Sequence, residues 1–275
     1  MSYTTSMHAA GESDGCVVPA RGPNQDGRPL REGREGRHPA KENTGRPSTL
    51  RTQGRVGVSP GLTRVREAAR KGKGGKIRFT ALLHHLTVDL LRTSYYERKR
   101  EAAAGVDGVT WQEYGTDLEE RLQDLRERVP RGRYRAQPSR RTYIPKADGR
   151  RRALGIAALE DKIVQQAVVH LLEPIYEEEF LGFSYGFRPG RGQHDALDAL
   201  AVGLRRKKVN WVLDADIRGF FDNLDHEWMR RFLEHRVADR RVIRLVQKWL
   251  KAGVSEEGVW SETKVGTPQG AVISP

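Results

Sequence analysis

Residues 209–226 read VNWVLDADIRGFFDNLDH. The first nine, VNWVLDADI, are β-branched and mostly apolar, the composition of a central strand buried on both faces. Alternate residues of a strand share a face, so Asp214 and Asp216 project together, and Asp222 follows just past the C-terminal end. An unpaired carboxylate in such a setting carries a desolvation penalty that a divalent cation or a neighbouring arginine offsets. Oxygen donors without cysteine or clustered histidine suit magnesium. For Asp214 and Asp222 the simpler reading is a helix cap or an ion pair with Arg218.

The flanks alternate helices with short hairpins. On the C-terminal side Asp225 is placed to cap a helix with Trp228, Met229, Phe232 and Leu233 on one face. Asp239 can cap a second, carrying Val242, Ile243, Val246, Trp249 and Leu250. A hairpin through Glu257-Gly258 and the segment GTPQGAVISP follow. On the N-terminal side, SYGFRPGRGQHDAL (184–197) is a Gly/Pro loop feeding a helix that turns Ala196, Leu197, Leu200, Ala201 and Leu204 inward. Residues 160–180 repeat apolar side chains at Ile163, Val164, Ala167, Val168, Leu171, Leu172 and Ile175, a core helix. Residues 140–156 form two strands around Ala147-Asp148-Gly149, studded with Arg140, Arg141, Lys146, Arg150, Arg151 and Arg152. Helices are also expected over Leu118–Val129, ended by Pro130, and over 77–100, where Leu82, Leu83, Leu86, Leu90 and Leu91 make one stripe. His84 and His85 beside that stripe read as packing or surface residues rather than ligands.

Charge bounds the partner. The 275 residues hold 49 Lys+Arg against 36 Asp+Glu, a net +13 with pI near 10.1, an excess suited to a polyanion, nucleic acid before membrane surface. Residues 1–75 contribute 14 basic and 7 acidic groups with 13 Gly, 6 Pro and the single aromatic Tyr3, and are expected to be a disordered basic leader. The remaining 200 residues carry 35 basic and 29 acidic groups, or +6. No run approaches the ~18 apolar residues of a membrane span, and the N-terminus lacks a secretory pattern. No membrane partner and a cytoplasmic location are expected. The one cysteine, Cys16, excludes an internal disulfide, and no paired cysteines offer structural zinc ligands.

Five segments, WVLDADIRGFFDNLDH, YIPKADGRRRALGI, DKIVQQAVVHLLEPIYEEEF, SYGFRPGRGQHDAL and GTPQGAVISP, resemble the successive reverse-transcriptase blocks of group II intron-encoded proteins. The resemblance runs from about residue 95 to 275. It implies an α+β right-hand polymerase fold: the disordered leader over 1–75, fingers over 76–208 and a partial palm over 209–275. It implies an RNA-directed DNA polymerase that is also a maturase, binding its own intron RNA, an RNA template with DNA primer, and deoxynucleoside triphosphates. Carried over residue by residue, Asp216 is the catalytic, Mg2+-binding aspartate, with the carbonyl of Ile217 a second ligand in a two-metal transfer. Phe221 matches the aromatic that crowds the sugar 2′ position. Lys146 and Arg152 match the fingers cations on the triphosphate, and Gln269 the glutamine beside the incoming nucleotide. Arg188 and Arg191 match template contacts.

Two departures from the family pattern bear on activity. Ala153 stands where proline is usual, a tolerable change. The sequence ends at Pro275, ahead of the Tyr-Ala-Asp-Asp hairpin that supplies the remaining carboxylates in the family. A truncated, inactive copy is therefore expected, with a non-enzymatic intron RNA-binding protein as the alternative. Reverse transcriptases of the retron and defence classes fit the blocks less well.

Overall fold

The computed structural model describes residues 60–75, 77–145, 149–207 and 209–272. Most of the expected leader and Lys146, one of the fingers cations, lie outside these. The described chain opens with α1 (Pro60–Lys71), inside the segment read as leader. Proline at the first helical position, Arg70 and Lys71 in the last turn, and Gly72 just beyond are start and stop signals. Leu62, Val65 and Ala69 are buried on one stripe that a composition average over 75 residues conceals.

The single helix expected over 77–100 is divided. A 3₁₀ turn, Leu83–His85, precedes α2 (Val88–Tyr96). The break has two causes: the Thr87 hydroxyl accepts from Leu90 N at 3.1 Å, and the Asp239 carboxylate accepts from Leu82 N and Leu83 N at 2.8 and 3.0 Å. All five leucines of the stripe are nonetheless buried. The short α3 (Trp111–Gly115) follows, then α4 (Leu118–Arg128), with Leu122 and Leu125 inward.

Strands β1 (Ser139–Pro145) and β2 (Arg151–Ile156) pair antiparallel. Helix α5 (Leu159–Tyr176) buries the seven apolar residues read from its period, with α1 and α2 packed against it. Helix α6 (Gln193–Arg206) forms where expected, but Leu197, Leu200 and Leu204 are exposed rather than inward. Helices α7 (His226–Arg236) and α8 (Arg240–Lys251) pack on each other. Asp225 caps the first through Trp228 N at 2.8 Å, and Asp239 the second through Arg241 N at 3.0 Å. Strands β3 (Val254–Glu256) and β4 (Val259–Ser261) flank Glu257 and Gly258 at φ 49° and 84°, the left-handed pair of a tight hairpin turn.

The sheet order is β2-β1-β3-β4, with β3 parallel to β1. Phe79 bridges Val237, so segments on both sides of residue 208 share one sheet and one core.

The main correction concerns residues 209–217. They form no regular element and pair with no strand among the described residues, and Trp211 and Leu213 are 92% and 89% exposed. A strand is completed by neighbours for its N–H and C=O groups. Apolar, β-branched composition supplies the preference and not the partner.

Candidate nucleotide-binding site

The turn after Asp216 is built around one carbonyl. Gly219 adopts φ 62°, and its oxygen accepts from Asp222 N and Asn223 N at 3.1 Å each and from the Asn223 amide at 2.9 Å. Phe221 and Phe220 stand edge to face, centroids 5.4 Å apart.

The segment GTPQG docks on this turn. Gly266 N donates to Leu224 O at 2.8 Å, Thr267 N donates to Phe221 O at 2.8 Å, and the His226 ring Nε2 lies 2.6 Å from Gly266 O. Gly266, at φ 80°, admits no side chain, since a Cβ would lie 2.6 Å from Asp222 O and 2.7 Å from Phe221 O.

Three residues on, the same segment reaches the cationic hairpin. Gly155 N donates to Gln269 O at 2.8 Å, and a Cβ on Gly155 would run into Pro268. Gly155 belongs to β2, the sheet's edge strand, so GTPQG covers an otherwise free edge. Val272 N donates to the Gln165 side chain of α5 at 3.1 Å. Arg152 is exposed on the opposite face of β2. The strand bearing Arg152, the Gln269 backbone and the Phe221 turn are thus joined by one five-residue clamp.

Other residues are placed differently from their sequence reading. Asp216 and Ile217 are exposed in the unpaired stretch, and no group of three or more His, Cys, Asp or Glu converges among the described residues. The described side chains do not by themselves make a metal site. Arg188, read as a template contact, is 6% exposed. Its guanidinium donates to Glu177 at 2.6 and 3.1 Å and to the carbonyls of Leu181 and Ser184 at 2.8 Å each. Arg191 donates to Gly182 O at 2.5 Å and lies over the Tyr185 ring. A glycine-rich loop leaves carbonyls that need donors, and these two arginines supply them, which makes them positioning residues of the loop. Sequence reasoning missed Gly155 and Gly266, although a lone glycine inside a strand signals close backbone approach.

A family described as reverse transcriptase (RNA-dependent DNA polymerase) matches residues 144–275, the span from the cationic hairpin through GTPQG. The group II intron-encoded protein LtrA of Lactococcus lactis is 34% identical over 199 residues, covering 72% of this chain and 33% of its own length. The chain is similar to the reverse transcriptases encoded by group II introns. Protein YkfC of Escherichia coli K12 is 40% identical to this chain over 174 residues, 62% of it and 46% of YkfC. A 91 kDa protein in the cob intron of Schizosaccharomyces pombe is 40% identical over 138 residues, 50% of this chain and 17% of that protein. The chain therefore spans less than half the length of these relatives. The family works with divalent metal ions, and no described helix is long and apolar enough to cross a membrane.

Proposed function

We propose that residues 76–208 act as the fingers and 209–275 as the first part of the palm of an RNA-directed DNA polymerase that also binds intron RNA in splicing. Its partners are intron RNA, an RNA template with its DNA primer, and deoxynucleoside triphosphates, in the cytoplasm where that RNA is made. The observation that supports this reading is the GTPQG clamp, which fixes the Gln269 backbone between the Arg152 strand and the Phe221 turn. Lys146 and Arg152 hold the triphosphate by charge-assisted hydrogen bonds, Gln269 borders the base, and Phe221 faces the sugar. Magnesium is the metal that oxygen donors of this kind favour, with Asp216 and the Ile217 carbonyl as two ligands. Two oxygens leave an octahedral ion short of donors, so water, substrate phosphates or other carboxylates must complete it.

The test uses the full 275-residue chain. A fluorescent deoxynucleoside triphosphate with magnesium should bind, and Arg152→Ala should weaken it about tenfold or more, the loss of one charge-assisted contact. Unchanged affinity in that variant overturns the assignment. Magnesium-dependent primer extension should be absent in the same preparation, and robust extension would show that Asp216 already sits in a complete catalytic set.

A further inference from the structure

Helix α8 carries its cations differently from α4 and α7. On α4, Arg128 pairs with Asp124 four residues earlier. On α7, Arg230 pairs with Glu227 and Glu234, and Arg231 with Glu227. Between Arg240 and Lys251, RRVIRLVQKWLK, there are five cations and no acid. Among the described residues only Arg241 of these has an acidic partner, the N-cap Asp239. Val242, Ile243, Leu245, Val246 and Leu250 fill the inner face, which leaves Arg244, Lys248 and Lys251 along the outer one at spacings of four and three. Like charges at such spacings destabilise an isolated helix by a few tenths of a kcal/mol per pair. A face kept merely for solubility has no need of that arrangement.

The stripe also faces a concavity. Arg244, Gln247, Lys248 and Lys251 line one side of an open groove of about 500 Å³, and Tyr134, Arg135 and Ala136 line the other. Lys248 is turned partly inward, donating to Gly132 O at 3.0 Å and to Tyr134 O, and so fixes the two walls together. Arg135, Arg244 and Lys251 are exposed and have no acidic partner among the described residues. Among the described residues no carboxylate lines the groove. From Arg244 to Lys251 the helix advances about 10 Å, room for more than one phosphate.

We propose that this groove is a second nucleic-acid surface, separate from the nucleotide site, that grips a phosphodiester backbone through Arg135, Arg244 and Lys251. No lining residue belongs to the hairpin at 140–156, the turn at 216–226 or the GTPQG clamp. Without a base-reading pocket or an exposed aromatic, the grip is on phosphates and independent of sequence. The proposal rests on the chain being a nucleic-acid-binding protein, and its test separates the two claims.

The full chain and the triple variant Arg135→Ala, Arg244→Ala, Lys251→Ala are titrated with a 20-base-pair RNA duplex, and with DNA of the same sequence, between 50 and 200 mM salt. A control variant, Arg64→Ala, Arg70→Ala, Arg126→Ala, removes the same net charge elsewhere. Lys248 is left in place so that the fold is kept, which a thermal melt confirms. Three lost phosphate contacts should lower the salt slope by about 2.7, so that the parent loses roughly 40-fold more affinity than the variant across that range. A loss on RNA alone assigns the groove to the A-form backbone, and a loss on both duplexes to phosphodiesters in general. If the control variant weakens binding as much as the triple variant, or the slope does not change, the groove is not the grip. If the parent chain binds neither duplex, the nucleic-acid reading itself fails.

Discussion

Two glycines separated by more than a hundred residues hold the candidate site together, each because a side chain there would meet backbone or ring atoms. Gly155→Ala drives a methyl into Pro268 and lifts Gln269 off the β2 edge. Gly266→Ala places one against the Asp222 and Phe221 carbonyls at an unfavourable positive φ. Overpacking or strain of this kind costs about 1–3 kcal/mol. For a unit of this size the expectation is a melting temperature lower by roughly 3–10 °C for either variant, and triphosphate affinity should fall with it. A melt unchanged in both would show that GTPQG does not dock as described. Asp161 gives a pH signature at the same scale. Burial pushes its carboxyl up to about 6, against the opposing effects of the Tyr134 hydroxyl and Gln137 N–H that donate to it. Its raised pKa means the folded chain binds a proton that the unfolded chain has released, so stability is full below about pH 4 and falls as pH rises through about 6. Denaturant midpoints measured at pH 4, 5, 6 and 7 should decline in the parent, and Asp161→Asn should flatten the decline.

At the scale of elements, periodicity was informative wherever one helix face meets a core that the same sequence supplies. Helix α5 is the case in point: its apolar positions are buried as spaced. It was uninformative where a tertiary partner sets the boundary. The 77–100 segment breaks because a carboxylate 156 residues away takes the N–H groups of Leu82 and Leu83, which no local window contains. Helix α1 was hidden by averaging over a glycine-rich segment. The arginines at 188 and 191 were recognisable as a motif, yet their orientation depends on which loop carbonyls lack donors. Asp239 is therefore more than a cap, since it joins α8 to the turn before α2. Burial raises its carboxyl, but the Arg241 guanidinium and the N–H groups of Leu83, Leu82 and Arg241 more than offset this and hold it at about 2. Asp239→Ala leaves those donors without an acceptor, at about 1–3 kcal/mol for each buried group. Urea unfolding should show a midpoint well below that of Asp225→Ala, which removes an exposed cap worth about 1 kcal/mol. Equal midpoints would mean that Asp239 does no more than cap α8.

The whole molecule presents an imbalance that bears on residues 209–217. Its core lies around α1, α2, α4, α5 and α8, whereas Trp211, Val212, Leu213, Ile217, Trp228 and Phe232 are exposed. Soluble monomers rarely leave so many large apolar side chains uncovered, and an unpaired segment of strand-forming composition is a ready template for intermolecular pairing. Side chains that bury nothing contribute nothing to folding stability, however apolar they are. The double variant Trp211→Ser, Leu213→Ser should therefore leave the melting temperature within about 1–2 °C of the parent, since surface substitutions stay within about 0.5 kcal/mol. In light scattering at matched concentration the same variant should show less association, because the exposed apolar area that drives it is smaller. A drop of 10 °C or more would show that the two side chains are packed inside the folded 275-residue chain. In that case VNWVLDADI forms the buried strand that its composition favours, and Asp216 projects from a sheet rather than from an exposed segment.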